Sequence, residues 1–316
     1  MINTRDDFGA PIDVGGDPTA GPAPIVTKDA VLTRIVQLLD EADGHLARGS
    51  AAFPFELRSG FDRFDTPATF RMFNRGLRAR VNAYQQDWAG VLTSLGGSFL
   101  NDGAGIGVSG LNVGVYHAFS SAPGDAVNGI FDPSRLIIVA HPSIVTDAQA
   151  GDARLARKVV QIPSVDDQAG EGVSTDRAFD IYDGLSAPIA YMRNEELILL
   201  RADANLGLGT PAGIDAALPD INFIRQESGG LAPIALAAWQ AMTDTERTDE
   251  LLYNRRYSLL FEGHRWIDMR RYGRLTALPI DAGTTFVRFS RFPFPVRECN
   301  ARVPPPTQGC ALELGF

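Results

Sequence analysis

The chain is poor in the residues that most enzyme chemistry needs. It has two cysteines and four histidines. His45, His117, His141 and His264 are scattered, with no spacing of the H-x-x-x-H kind, so no metal site is expected. No G-x-S-x-G elbow and no phosphate-binding loop is present. Positive charge is short: 29 Lys and Arg stand against 38 Asp and Glu, for a net charge of -9. That balance argues against nucleic acid as a partner, since binding it needs a basic footprint. It also argues against adsorption on anionic lipid. No apolar run approaches the ~20 residues of a membrane-spanning helix. Gly105, Gly107 and Gly110 do match G-x-G-x-x-G, but LNVGVYHAF follows and reads as β or irregular structure. A dinucleotide site needs a helix there, so these are turn glycines, and no cofactor is expected.

What is present is helical pattern with loop-rich interruptions. Residues 1–24 are rich in Gly, Pro and Asp and read as an extended segment. Residues 25–97 read as helical: one helix over 28–47 with the stripe Val31, Ile35, Leu38, Ala42 and Leu46, a second starting at Thr66 and Pro67, and a third over 86–95. The second carries Phe70, Phe73, Leu77, Val81 and Tyr84 on one face. Residues 98–187 change character to Gly-rich turns and short β-like runs such as 136–140 (LIIVA). Helical pattern returns over 188–277, with helices expected at 188–206, 211–226, 233–242 and 245–262. Residues 278–316 read as short strands and Pro-rich coil. The spacing describes one domain: a mostly α scaffold with an irregular loop and β insertion.

The densest stretch is 251–273, LLYNRRYSLLFEGHRWIDMRRYG. Thr243 and Glu246 form a capping box ahead of it, and Gly263 suits a helix stop. Glu262, Arg265, Asp268 and Arg271 are interleaved with Phe261, Trp266 and Met269. Charges partly drawn into a fold need partners, so a closed ionic network of these four is expected. Glu262 and Asp268 each have an Arg neighbour, which lowers a carboxylate pKa and makes a poor general acid. A structural network therefore outweighs catalysis.

This segment resembles the C-terminal signature of the SusD/RagB family, Glu-Gly-x-Arg-x-x-Asp-x-x-Arg, here Glu262, Gly263, Arg265, Asp268 and Arg271. Residues 190–209 (AYMRNEELILLRADANLGLG) resemble the family's Tyr…Glu-(apolar run)-Arg-Ala-Glu-Ala helix, with Asp203 where Glu is usual. Residues 220–231 and 66–88 resemble further family elements, with Asn74, Ala79 and Arg80 in place, and FPFPVREC resembles the closing Pro-rich segment. Asn254 and Pro219 depart from the pattern. The resemblance implies a tetratricopeptide-like helical-repeat scaffold, although no repeat period is visible in the sequence.

It also implies a role. Family members are lipid-anchored outer-membrane proteins that sit as lids over TonB-dependent, SusC-like transporters and bind glycan or peptide nutrients. The opening MINTRDDFGAPIDVGG has no basic region, apolar region or lipid-attachment Cys, and on composition alone reads as cytoplasmic. The resemblance implies a signal, an acylated Cys and further helices ahead of it, so the chain is read as a fragment or shortened form. The alternative function is a tetratricopeptide-like interaction scaffold that grips a transporter without touching nutrient. A glycoside hydrolase would need two facing carboxylates in a cleft, and the sequence nominates none.

Sugar binding calls for flat aromatic faces beside polar side chains. The insertion offers Tyr116, Phe119 and Phe131 with Asp125 and Asn128 in a loop-rich setting, and these are the candidate ligand residues. The competing reading is that the aromatics pack the insertion onto the helices. Trp88, Trp239 and Trp266 sit in helical patterns and read as core. Cys299 and Cys310 close one short loop and suit a disulfide in an exported protein; two unpaired thiols are the alternative.

Overall fold

A computed structural model describes residues 7–13, 15–16, 19, 21–166, 174–280 and 289–311. Its elements fall into two compact units, Ala42–Arg265 and Met1–Glu41 with Trp266–Phe316.

In the larger unit, α1 (Lys28–Ala47) contributes its C-terminal part, which Arg71 ties down by a two-pronged bond to Asp43 at 2.9 and 3.1 Å. The expected helix bounds hold, but the stripe is only partly covered: Leu38 is 46% exposed. Next comes α2 (Pro67–Gln85), whose Thr66 cap and Pro67 start are those expected. The third helix, α3 (Trp88–Leu95), starts later than its pattern suggested, because the Asp87 side chain caps it through Gly90 N–H. After α3 the chain enters the insertion through α4 (Gly107–Leu111), β1 (Gly114–His117), α5 (Ser143–Thr146), α6 (Ala153–Lys158), β2 (Val159–Asp166) and β3 (Ser174–Phe179). It leaves through β4 (Ile189–Arg193) into α7 (Asn194–Gly207), α8 (Pro211–Phe223), α9 (Leu236–Ala241) and α10 (Asp244–Ser258).

The core lies where α2, α3 and α7 meet the β1–β4 pair. Phe73, Val91, Leu95, Phe99, Met192 and Leu197 are all buried there. Gly207 closes the approach of α7 to α3: a Cβ on it would sit 2.3 Å from the Trp88 indole. Strands β1 and β4 run antiparallel, pairing Gly114 with Arg193 and His117 with Ile189, with a register shift at Val115/Tyr116. Strands β2 and β3 form a separate antiparallel pair, Val159 opposite Phe179.

Several expected elements shift, each for a local reason. Residues 189–193 form β4 rather than the start of a helix, because their backbone pairs with β1. LIIVA is not a strand. The Asp132 carboxylate accepts from Ser134 N (3.1 Å), Ser134 Oγ (2.5 Å), Ile137 N (2.7 Å) and Ile138 N (3.1 Å), winding the chain into a turn that leaves Ile137 81% exposed. Those donors hold Asp132 far below the usual carboxylate range, the Ser134 hydroxyl first. The helix expected over 211–226 changes to a wider, π-type turn at Ile224–Ser228. The next one is shorter than expected, but its Trp239 is fully buried and donates to Ile214 O at 2.8 Å. The Thr243–Glu246 capping box forms as expected, and α10 then ends a turn before Gly263. Phe261 (φ 70°) and Gly263 (φ 78°) both occupy left-handed backbone in the turn that follows, a conformation that costs glycine nothing.

The smaller unit combines the start of α1 with α11 (Arg265–Arg271) from Trp266 onward and α12 (Val296–Ala301). Asp7 pairs with Lys28 at 2.5 Å and Arg270 at 3.1 Å. Arg302 donates to Ala23 O at 2.7 Å, and Phe8 rests 5.8 Å from Phe294. Cys299 and Cys310 are joined by a disulfide. The tail expected as strands and coil thus contains a helix; residues 281–288 and 312–316 of it lie outside the described residues, as do 1–6 of the extended opening and 167–173 of the insertion.

Candidate functional site

Two clefts open in the larger unit, one on each side of the loop at 181–183. Ile181, Tyr182 and Asp183 line both. The first has a volume of about 430 Å³. Its aromatic lining comes from Phe131, Phe179, Tyr182 and Phe261. Phe179 and Tyr182 lean on Phe261 with ring centroids 4.8 and 6.1 Å away. The polar lining is Asp132, Arg135, Asp180 and Asp183, of which Arg135 and Asp180 pair at 2.7 Å.

The second cleft, about 370 Å³, is polar at its base. Tyr116, Lys158, Arg193, Glu195 and Glu262 line it. Arg193 is the hub. It sits at the end of β4, 5% exposed, and donates to Glu262 at 2.7–3.1 Å, to Asn112 Oδ1 at 3.2 Å, to Glu195 and to the Ser258 carbonyl. Lys158 Nζ donates to Tyr257 O at 2.9 Å and Ser258 O at 2.5 Å. Arg193 and Lys158 together satisfy the carbonyls at the C-terminus of α10, where cations are favoured. This explains why α10 stops before its apolar pattern does.

The charges on this base are strongly perturbed. Burial pulls the Lys158 ammonium down to about 8, with repulsion from Arg193 and Arg154 adding to it. Burial pushes the Glu195 carboxyl up, but Arg193 and Lys158 outweigh it and hold it at about 2. A carboxyl held there is no general acid at neutral pH. Because its folded value lies below the ordinary 4.5, Glu195 adds stability above about pH 4.5 and loses it as pH falls toward 2. Acid titration followed by circular dichroism should show wild type losing stability more steeply than Glu195→Gln between those values. Parallel curves would contradict the pairing.

The signature residues spread further than expected. Glu262 takes Arg193, distant in sequence, rather than closing a ring with the arginines that follow it. Arg265 donates to Leu252 O at 3.3 Å, while Asp268 pairs with Arg271 at 3.4 Å. Gly263 serves the turn. A second buried hub, unforeseen in the sequence, is Arg154, fully enclosed and bonded to Asp152, Asn254 and Ser258, with Tyr253 completing Asp152.

The five candidate ligand residues do not converge. Phe131 lines the first cleft and Tyr116 the second, where its hydroxyl donates to Asn112 O. Phe119 packs edge-on against His117, 4.5 Å away. Asp125 pairs with Arg58 at 2.9 Å. Asn128 cannot meet a ligand: it is fully buried, its amide donates to Ala187 O at 2.8 Å and its carbonyl accepts from Ile130 N at 2.9 Å. Loop polarity concealed a staple there. Tyr182 and Asp183 were missed, although an aromatic and an acid beside Gly184 carry the same loop signal that singled out residues 116–131.

Comparison with known proteins agrees with this architecture. The SusD family model matches residues 171–300. A SusD superfamily protein from Bacteroides vulgatus superposes with a TM-score of 0.55 at 18% identity, over 86% of this chain and 62% of that one. A SusD-like carbohydrate binding protein from the same species gives 0.56 at 17%, over 86% and 58%. A laminarin binding SusD-like protein gives 0.55 at 17%, over 95% and 73%. The chain thus spans about three fifths of the length of the first two. No curated protein matches it in sequence. Residues 171–300 thus match the SusD family model, and the fold is a mostly α, tetratricopeptide-like scaffold like that of SusD-type structures, with an irregular insertion.

Proposed function

We propose that this protein captures a glycan at the bacterial cell surface, lipid-anchored to the outer membrane in its full-length form, as the lid of a TonB-dependent, SusC-like transporter. The site is the pair of clefts around 181–183. The observation that carries the reading is the first cleft's lining on a SusD-type fold: Phe131 and Tyr182 with the exposed carboxylate of Asp183. Sugar rings present C–H faces that stack on flat aromatics, and hydroxyls that donate to carboxylates. Two relatives of the same fold are described as carbohydrate binding and laminarin binding. Tyr116 extends the site into the second cleft. The reading is of a binding protein and not an enzyme, since Glu195 and Glu262 both clamp Arg193.

Calorimetry against oligosaccharides and peptides tests it. Phe131→Ala and Tyr182→Ala should each weaken oligosaccharide binding by about fivefold or more, as losing an aromatic anchor costs ~1 kcal/mol or more. Unchanged affinity in both variants would place the site elsewhere; peptides bound in preference to sugars would change the ligand class. Among the described residues no helix is long and apolar enough to cross a membrane. Co-purification of the full-length form with a SusC-like transporter tests the transporter partnership.

A further inference from the structure

We infer that the first cleft is built for uncharged glycans and turns anionic ones away, with Asp183 as the residue that sets this selectivity; the inference rests on the glycan-binding reading above. The argument starts from how the charges around both clefts are used. An anionic sugar, such as a uronate or a sulfated residue, loses hydration on binding and needs a cation with donors to spare. The cation lining the first cleft is already paired, and two of the three lining the second are fully engaged. Arg135 pairs with Asp180 at 2.7 Å. Arg157 is the exception in the second cleft: it is exposed and spends one N–H on Ser228 O at 2.6 Å. Lys158 is committed to the two carbonyls at the end of α10. Arg193 divides its donors among Glu195, Glu262, Asn112 and Ser258. Burial also lowers the Lys158 pKa, which disfavours its charged form as an anchor for an anion.

The carboxylates are engaged in the same way, with one exception. Asp132 is wrapped by the amides of its own turn, Asp180 holds Arg135, and Glu195 and Glu262 hold Arg193. Asp183 is exposed on the wall common to both clefts and makes no ion pair or hydrogen bond among the described residues. The first cleft is therefore net negative: Asp132, Asp180 and Asp183 stand against Arg135, and among the described residues lining it Asp183 carries the uncommitted charge. Asp183 accepts hydroxyl donors from a neutral sugar lying on Tyr182, and it repels a carboxylate or sulfate entering the first cleft.

Matched hexasaccharides test this by calorimetry at low and physiological salt: maltohexaose, laminarihexaose and xylohexaose as neutral probes, and hexagalacturonate as the anionic one. Wild type is expected to bind at least one neutral hexamer and to bind hexagalacturonate at least tenfold more weakly. Asp183→Lys, at an exposed position that folding tolerates, should raise hexagalacturonate affinity about fivefold at low salt, and added salt should erase the gain. Hexagalacturonate bound by wild type as tightly as any neutral hexamer would overturn the selectivity while leaving glycan binding in place. A neutral preference that Asp183→Lys does not move would overturn the assignment to Asp183. Binding of no saccharide at all would remove the glycan-binding reading and this inference with it.

Discussion

Replacing Arg193 with Met is expected to cost about 3–5 kcal/mol of stability, the usual penalty for breaking a buried ion pair from one side. The Arg193 side chain is 6% exposed and faces two carboxylates, of which Glu195 is itself 5% exposed. Methionine keeps much of the volume but none of the donors. It would strand Glu195 and Glu262 together at the base of the second cleft and release the Ser258 carbonyl. A Tm drop of roughly 10 °C follows from that energy. Arg135→Met is the control: its pair with Asp180 is 45% and 43% exposed, and exposed pairs contribute about 0–1 kcal/mol. If the two variants melt alike, the Arg193 hub is not the brace described.

A comparable loss is expected for Arg154→Met. This guanidinium and its partner Asp152 are both fully enclosed, and its other donors reach Asn254 and Ser258 on α10 at 3.0 Å. The arginine is the buried ionic link between α6 of the insertion and α10, beside the carbonyl bonds of Arg157 and Lys158. Its removal leaves Asp152 buried with only Tyr253 Oη and backbone donors, at a cost of about 3–5 kcal/mol. Removing both partners should hurt less than removing one, since no charge is then stranded. Arg154→Met with Asp152→Leu is therefore expected to recover part of the loss, a coupling that a double-mutant cycle measures directly. Hydrogen exchange should localise the loosening to 152–158. Strictly additive losses would mean that the pair is not coupled in the folded state.

Both hubs show where sequence reading stopped. The bounds of α1, the Thr66 cap with Pro67 and the Thr243–Glu246 box are written in residues a few positions apart, and each appears where expected. Arg193 meets Glu262 across 69 positions and Arg154 meets Ser258 across 104. No local rule reports such pairs, even though all four residues were visible. Strand β4 was lost for the same reason: its backbone partners come from β1, far upstream. Amphipathic pattern located α1 but overstated its burial, because a stripe shows which face is apolar and not what covers it.

The candidate site was half legible. Aromatics beside polar residues in a loop-rich insertion pointed to Phe131 and Tyr116, which line the two clefts. The same rule chose Asn128, whose amide is spent inside the protein, and passed over Tyr182 and Asp183. Composition distinguishes a loop from a helix; it does not distinguish a side chain that faces solvent from one that ties the loop together.

The most direct test of the central claim is to map where a saccharide binds. Amide chemical shifts should be followed as a bound neutral oligosaccharide is titrated in. The account predicts that the perturbed amides cluster at 130–132 and 180–183, and that Tyr182→Ala removes the cluster without changing the remaining spectrum. Perturbations confined to another surface, such as the exposed Phe55 and its stacked neighbour Phe53, with none at 180–183, would contradict it.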